Sequence, residues 1–203
     1  IKLVTLANLE GYYYKPRMDK EILRKYSSGI IALSGCLGGE LSQTVLKGDL
    51  KKADELVLEY QDIFGKENYF IEIQSHPSVE NDKQVRQTLI ELAKKHKVDV
   101  VGTQDSHYPC SDDHEAHHTL LQINTQGDGK EGAKFEFSDD DFSFFDTKVA
   151  LKAFKDIPEA VANTIKVADM CNVELELGKW VFPDFKVADG KNYDEKLREL
   201  AYN

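Results

Sequence analysis

The amino-acid sequence predicts an α/β fold with parallel strands. Two successive units, each a helix followed by a strand, carry this prediction. Apolar residues recur at helical spacing over 50–64 and are followed by an aromatic and β-branched run at 69–73. The same order repeats with an apolar stripe over 85–96, followed by a valine-rich run at 98–103. Alternation of this kind builds parallel sheets whose faces are covered by helices.

Composition fits one globular domain, or one domain with a linker. The 203 residues are 41% hydrophobic and carry 26 Lys and Arg against 36 Asp and Glu, a formal charge of −10. This charge disfavours unaided, non-specific binding to a polyanion. Any nucleic acid must therefore be bound at a small local site or through a neighbouring protein. Three scattered cysteines without a CxxC motif, no membrane-length apolar run and no visible targeting segment predict a cytoplasmic protein.

The first residues of the chain are predicted to belong to a folded domain that starts before them. Apolar residues on two stripes of 1–9 predict a helix buried on most sides, as expected for a truncated domain. The three tyrosines at 12–14 could stack on bases, but we expect them to pack against the incomplete core. Asp19 is placed to cap a short helix that runs to Tyr26, and the apolar run 30–33 is predicted to be a buried strand.

Beyond the second helix-and-strand unit, the pattern predicts two further helices and a connection. One helix is expected from about Asp112 to Ile123, followed by a polar, glycine-containing stretch at 125–134. Pro158 marks the start of the other helix, whose apolar face reaches about Cys171. The irregular, proline-containing stretch 177–190 is typical of a connection that leaves a domain.

Asp105 and His107 are the first candidate site residues. They follow the predicted strand 98–103, and active sites of α/β folds gather at the carboxyl ends of strands. Residues two apart in an extended segment point the same way, so this carboxylate and imidazole can reach one metal ion. The alternative is a polar loop with a helix cap.

Cys36 is the second candidate, because it also directly follows a predicted buried strand. Gly38 and Gly39 allow a tight turn after it, and a thiolate at this place could bind zinc. The alternative is a buried, inert cysteine in a strand-to-helix turn. His76 likewise follows the strand at 69–73 and either faces the same site or forms a local hydrogen bond.

The segment 114–118 satisfies the H-E-x-x-H pattern of zinc metallopeptidases. On a helix, His114 and His118 would share one face, with Glu115 placed to activate a zinc-bound water. The motif lies at an acidic, solvated helix start after Asp112 and Asp113, which disfavours a peptidase.

Taken together, several segments resemble the polymerase and histidinol phosphatase (PHP) domain, in the form found in the alpha subunit of bacterial DNA polymerase III. The resemblance spans nearly the whole chain in order. Its segments are 1–17 (IKLVTLANLEGYYYKPR), 29–40 (GIIALSGCLGGE), 68–76 (NYFIEIQSH), 100–108 (VVGTQDSHY), 115–123 (EAHHTLLQI) and 157–174 (IPEAVANTIKVADMCNVE).

This resemblance implies an incomplete PHP-type (βα)7 barrel-like domain that lacks its N-terminal strands. It implies that Cys36, Asp105 and His107 bind a divalent metal, zinc or manganese, and that Asp105 and His107 act in catalysis. The family's His-x-His motif and remaining ligands would precede Ile1, so the metal site in this chain is expected to be incomplete. Because the family pattern has a histidine where His117 stands, the H-E-x-x-H match is expected to be accidental.

The resemblance also implies a domain organisation and a role. Residues 1–178 would be the C-terminal part of the PHP domain, and 179–203 the connection toward an absent polymerase palm domain. The full-length protein would be a DNA-directed DNA polymerase that binds DNA, the sliding clamp and the exonuclease subunit. Its PHP domain would contain a metal-dependent 3′–5′ exonuclease or phosphoesterase site. A stand-alone PHP phosphoesterase and a non-catalytic replisome scaffold are the alternatives.

Overall fold

A computed structural model describes residues 1–126, 141–182, 185–187 and 190–202. They form two units, Ile1–Cys171 and Asn172–Asn203. Most of the polar stretch predicted at 125–134 lies outside the described residues.

A three-stranded parallel sheet organises the first unit, which confirms the predicted α/β fold with parallel strands. The strands are β1 (Ala32–Leu33), β2 (Tyr69–Ile73) and β3 (Val100–Gly102), in the order β1-β2-β3. Leu33 is paired with Phe70, and Ile73 with Gly102. The central strand β2 is buried at every position except the partly exposed Glu72. A strand covered on both faces explains the nearly continuous apolar run in this segment.

Helices surround the sheet in the order that the periodicity predicts, with additional short helices between them. A 3-10 turn, Ser111–Asp113, precedes α6 and takes the place of the first residues of the helix predicted from Asp112. The α-helices of the described residues are α1 (Lys2–Leu9), α2 (Lys20–Tyr26), α3 (Glu40–Leu46), α4 (Leu50–Phe64), α5 (Asp82–His96), α6 (His114–Gln126), α7 (Thr147–Ala153), α8 (Glu159–Met170) and α9 (Tyr193–Tyr202).

Aspartate caps fix the starts of three helices. The carboxylate of Asp19 accepts a hydrogen bond of 2.9 Å from the backbone N–H of Ile22 at the start of α2, as predicted. Asp49 and Asp146 cap α4 and α7 in the same way. Each cap satisfies a backbone donor that the first turn of a helix leaves unpaired.

The hydrophobic core lies where α3, α4 and α5 meet the sheet and where α8 packs along β3. Asn163 of α8 donates a 2.8 Å hydrogen bond to the carbonyl of Val100, which ties this helix to the strand. The Phe154 ring reaches within 3.1 Å of where a Cβ on Gly102 would lie, so glycine lets the ring sit directly against β3. The buried core residues include Leu41, Val45, Ala53, Leu56, Val57, Tyr69, Ile71, Ile73, Val85, Leu89, Ile90, Leu92, Ala93, Val98, Val100, Phe154, Ile157 and Ala160.

Three predictions of burial near the start of the chain are wrong. The run 30–33, predicted to be a buried strand, contributes only the two residues of β1, and Leu33 is 39% exposed because β1 is an edge strand of the described sheet. Helix α1 forms where expected, but Ala7 is its only buried residue, so it is not a helix buried on most sides. Tyr12, Tyr13 and Tyr14 are 63%, 64% and 80% exposed, so they do not pack against the core. Periodicity identified the helix, but burial depends on neighbours that lie far away in sequence.

In the second unit, α9 follows an irregular stretch. Trp180 and Phe182 are exposed and stack on each other with ring centroids 6.3 Å apart. Helix α9 was not expected from the sequence. Across the described part of the chain, no helix combines the length and the apolar character needed to cross a membrane.

Candidate functional site

The carboxyl edge of the parallel sheet gathers the residues singled out from the sequence. Cys36 follows β1, His76 follows β2, and Asp105 and His107 follow β3. Because the strands are parallel and β2 is central, the chain leaves β1 and β3 at the same edge, about 10 Å apart at ordinary strand spacing. The topology alone therefore places these side chains on one side of the molecule.

A tight turn holds Cys36 between β1 and α3. The backbone N–H of Gly39 donates a 2.8 Å hydrogen bond to the carbonyl of Cys36, and Gly35 has a φ of +84° that favours glycine. An added Cβ at Gly39 would lie 2.6 Å from the carbonyl oxygen of Ser34, so only glycine fits there. Cys36 is exposed, so the interpretation as a buried, inert cysteine is wrong.

A carboxylate that the sequence analysis missed lies beside this turn. Glu72, near the end of β2, lines a small cavity together with Cys36 and Asp82. The hydroxyl of Thr103 donates a 2.5 Å hydrogen bond to Oε1 of Glu72, and the side-chain amide of Gln74 donates to the same oxygen at 3.3 Å. One signal was available in the sequence, because Glu72 is the single charged residue within the apolar run 69–73.

The structure brings Asp105 and His107 together. Nδ1 of His107 lies 2.6 Å from the backbone carbonyl of Asp105 and 4.0 Å from its carboxylate. A hydrogen bond from Nδ1–H to that carbonyl fixes the tautomer and leaves the lone pair of the neutral ring on Nε2, as is usual for metal-binding histidines. Asp105 has a φ of +55°, a left-handed conformation that is uncommon outside glycine and is enriched at functional sites.

Phe142 is a second residue that the sequence analysis missed, and it forms a wall of the site. The backbone N–H of His107 donates a 2.8 Å hydrogen bond to the carbonyl of Phe142, and the N–H of Phe142 donates to the hydroxyl of Tyr108 at 3.0 Å. The His107 ring meets the Phe142 ring edge to face, with centroids 5.5 Å apart. This pairing joins segments 34 residues apart, and no local pattern reveals it.

His76 contacts the same phenylalanine. Its imidazole is stacked on the Phe142 ring with centroids 4.6 Å apart and is 7% exposed. Within the described residues neither of its ring nitrogens has a hydrogen-bond partner. A buried polar group without a partner costs about 1–3 kcal/mol. His76 thus reaches the predicted edge of the sheet, where its ring and that of His107 both contact Phe142.

Histidines of α6 approach the site from the side. The rings of His117 and His107 lie 5.5 Å apart. The pKa of His117 is lowered, first by burial and then by repulsion from His107, His114 and His118. The H-E-x-x-H segment therefore adds imidazoles near the candidate site.

The arrangement supplies thiolate, carboxylate and imidazole donors of the kinds that bind zinc. It pairs Asp105 with His107 and places Cys36 on the same edge. No group of three or more His, Cys, Asp or Glu side chains close enough to hold a metal ion occurs in the part of the chain that the structure describes.

Comparison with protein families matches residues 1–76 to the PHP domain. This part of the chain is therefore similar to the PHP domain, which agrees with the parallel α/β architecture. Along its whole length, the chain is similar to DNA polymerase III alpha subunits. The subunit of Thermus aquaticus is 38% identical over 211 residues, covering 100% of this chain and 17% of the relative.

Two further relatives give the same result. The subunits of Deinococcus radiodurans and Treponema pallidum are each 38% identical, over 207 and 201 residues respectively. They cover 99% and 98% of this chain, which spans 15% and 17% of their lengths. The resemblance stated from the sequence is confirmed, and the chain corresponds to about one sixth of these relatives.

Proposed function

We propose that the chain is part of the PHP domain of a bacterial DNA polymerase III alpha subunit and acts in DNA replication. The observation that carries the proposal is the 38% identity to such subunits along 100% of the chain. Residues 1–178 form the PHP part, and 179–203 form the connection toward the polymerase palm domain. The longer protein would be a cytoplasmic DNA-directed DNA polymerase that meets DNA, the sliding clamp and the exonuclease subunit.

Within this role, Cys36, Asp105 and His107 are the proposed ligands of a divalent metal, zinc or manganese. The thiolate, carboxylate and imidazole all suit zinc, whereas manganese would rely on the carboxylate and the imidazole. The hydrogen bond from His107 to the Asp105 carbonyl prepares Nε2 as a ligand atom. Asp105 and His107 leave one strand two residues apart, so a single backbone segment fixes both. The exposed Cys36 approaches from the turn after β1.

The proposed chemistry is hydrolysis of a phosphodiester that removes a 3′-terminal nucleotide. A bound divalent cation would supply a water of lowered pKa and neutralise charge on the phosphate. The chain's own part is orientation. The carbonyl of Asp105 fixes the tautomer of His107, and Phe142 holds the His107 ring from one side through the 2.8 Å backbone hydrogen bond and the edge-to-face contact.

Metal retention tests the ligand assignment. The chain and the full-length protein are each loaded with Zn²⁺ or Mn²⁺, dialysed and measured by elemental analysis, with Cys36→Ser, Asp105→Asn and His107→Gln as variants of both. Each substitution is expected to weaken binding by at least about tenfold, the loss that even an outer-shell change produces. Cys171→Ser is the matched control, because Cys171 is also an exposed free cysteine but lies at the end of α8.

The outcomes separate the alternatives. Loss of metal in the three variants but not in the control supports the ligand set. Absence of bound metal in both the unaltered chain and the full-length protein contradicts it and favours the scaffold. A bound zinc that is lost only on His114→Ala would instead restore the peptidase-like motif. Release of 3′ nucleotides from single-stranded DNA, and its loss in Asp105→Asn, tests the hydrolytic activity.

A further inference from the structure

A small loop near the start of the chain presents aromatic rings to solvent. We define the tyrosine loop as residues 11–17, Gly-Tyr-Tyr-Tyr-Lys-Pro-Arg. Its three tyrosines are between 63% and 80% exposed, and Lys15, Pro16 and Arg17 are exposed as well. Three neighbouring aromatic side chains left in water forgo the burial that normally stabilises such residues. Their exposure therefore calls for a function.

The backbone of the tyrosine loop is closed on itself. The N–H of Tyr13 donates to the carbonyl of Lys15 at 3.1 Å, and the N–H of Arg17 donates to the carbonyl of Gly11 at 3.2 Å. An added Cβ on Gly11 would lie 2.0 Å from the carbonyl oxygen of Arg17, so the two ends of the loop are in close contact. The rings are thus carried by a fixed turn, which lowers the entropy lost when a ligand orders them.

Tyr14 holds a strained conformation at the tip of this loop. Its φ is +59°, in the left-handed region that a bulky residue rarely adopts. Strain of this kind persists where the surrounding structure enforces it, and it is concentrated at ligand-binding sites. Glycine would relieve the strain, but it would remove the ring.

Positively charged side chains lie close to the rings of the tyrosine loop. The guanidinium of Arg17 lies 5.4 Å from the centre of the Tyr13 ring, which in turn contacts the edge of Tyr14 with centroids 4.7 Å apart. The chain as a whole has a formal charge of −10, whereas its first 26 residues are net positive. They carry Lys2, Lys15, Arg17, Lys20, Arg24 and Lys25 against Glu10, Asp19 and Glu21.

Lys20 connects the segment that follows the tyrosine loop to two other helices of the first unit. Helix α2 begins directly after the loop, and Lys20 in its first turn binds the carboxylate of Glu40 at 3.1 Å. Glu40 is the first residue of α3, which begins immediately after the Cys36 turn at the carboxyl edge. Lys20 also binds the carboxylate of Glu59 in α4 at 2.8 Å, so two ion pairs anchor the helix that follows the loop to α3 and α4.

We propose that the tyrosine loop binds single-stranded nucleic acid, stacking bases on Tyr13 and Tyr14 and drawing the phosphates toward Lys15 and Arg17. Aromatic rings interleaved with cations are the arrangement by which proteins hold unpaired strands without reading sequence. A duplex keeps its bases stacked inside and offers no face to these rings. The inference rests on the proposed function and deepens it by naming the polymer that this part of the domain binds, but the binding itself requires no metal.

Fluorescence anisotropy with a labelled oligothymidylate of about 10 nucleotides tests the proposal, with EDTA present to remove metal ions. We expect Tyr13→Ala and Tyr14→Gly each to weaken binding by about fivefold or more, since stacked bases contribute this much per ring. Tyr14→Phe keeps the ring and is expected to bind normally. Lys15→Gln and Arg17→Gln are each expected to reduce the slope of log affinity against log salt by about 0.7.

The matched controls are Tyr193→Ala and Tyr202→Ala, because these tyrosines are equally exposed but lie in α9. They are expected to leave affinity unchanged. An oligouridylate and a duplex of the same length complete the series, and equal binding of DNA and RNA strands indicates recognition of bases and phosphates alone. Tight duplex binding, no single-strand binding, or equal losses in the α9 controls would overturn the proposal. None of these results depends on the metal-retention experiment.

Discussion

Replacing Gly39 by alanine tests the turn that presents Cys36. An ideal Cβ at this position lies 2.6 Å from the carbonyl oxygen of Ser34 and 3.0 Å from that of Cys36. Both contacts are shorter than van der Waals separation, and both partners are backbone atoms that cannot rotate away. The backbone of Gly39 itself, with φ −66° and ψ 155°, suits any residue, so the whole penalty comes from the clash.

The magnitude follows from two opposing effects. Forcing a methyl group into a closely packed place costs about 1–3 kcal/mol. Replacing glycine by alanine also lowers the entropy of the unfolded chain, which returns about 0.4–1 kcal/mol. We therefore expect Gly39→Ala to lower the free energy of unfolding by about 1–2 kcal/mol, roughly a 5–30-fold change in the folded-to-unfolded ratio.

The neighbouring glycine provides the control. A Cβ on Gly38 would meet only the Sγ of Cys36, at an ordinary 3.7 Å, and Gly38 is not among the residues with positive φ. Gly38→Ala should change stability by less than about 0.5 kcal/mol. Urea unfolding followed by circular dichroism measures both variants, and the rate of thiol labelling reports the position of Cys36. Equal destabilisation by the two substitutions, or none by Gly39→Ala, would refute this reasoning.

Three further predictions concern a strained residue, an ion pair and the core. Asp105→Gly should stabilise the fold by about 1 kcal/mol in urea unfolding by relieving the left-handed backbone, while metal retention falls; destabilisation would contradict this. Hydrogen bonds from Lys95 and, to a smaller extent, His96 lower the pKa of Asp54. The ionised Asp54 therefore stabilises the fold above pH 3.8, and this stabilisation is lost as the pH falls through the lowered pKa. Asp54→Asn should make the free energy of unfolding depend less on pH in this acidic range. Phe154→Ala should cost about 3–5 kcal/mol in thermal unfolding, and a cost below 1 kcal/mol would show that the core refills the space.

The central part of the fold could be predicted because its signals are local. The helix at 50–64 shows a clear apolar period and ends at Gly65, whose φ is +88°. Strand β2 is enriched in aromatic and β-branched residues. The shared edge of Cys36 and Asp105 followed from a general rule, that parallel strands deliver their carboxyl ends together. Their role as metal ligands remains a prediction.

The remaining features depend on contacts between distant segments. Phe142 reaches the site through a parallel bridge between Tyr108 and Ser143. Such a pairing produces no periodic pattern in the sequence. The exposure of the tyrosines could not be deduced either, because tyrosine is common both in cores and on binding surfaces. Helix α7 was missed because seven residues give too short an apolar pattern.

The strand order has a consequence for how the chain folds during synthesis. Each described strand pairs with its neighbour in chain order, β1 with β2 and β2 with β3. Chains leave the ribosome amino end first, at about 5–20 residues per second. The sheet can therefore grow one strand at a time, and the β1-β2 pair can form with α4 in place before β3 has been translated. The turn that holds Cys36 can therefore reach its native conformation before the residues around Asp105 have been synthesised.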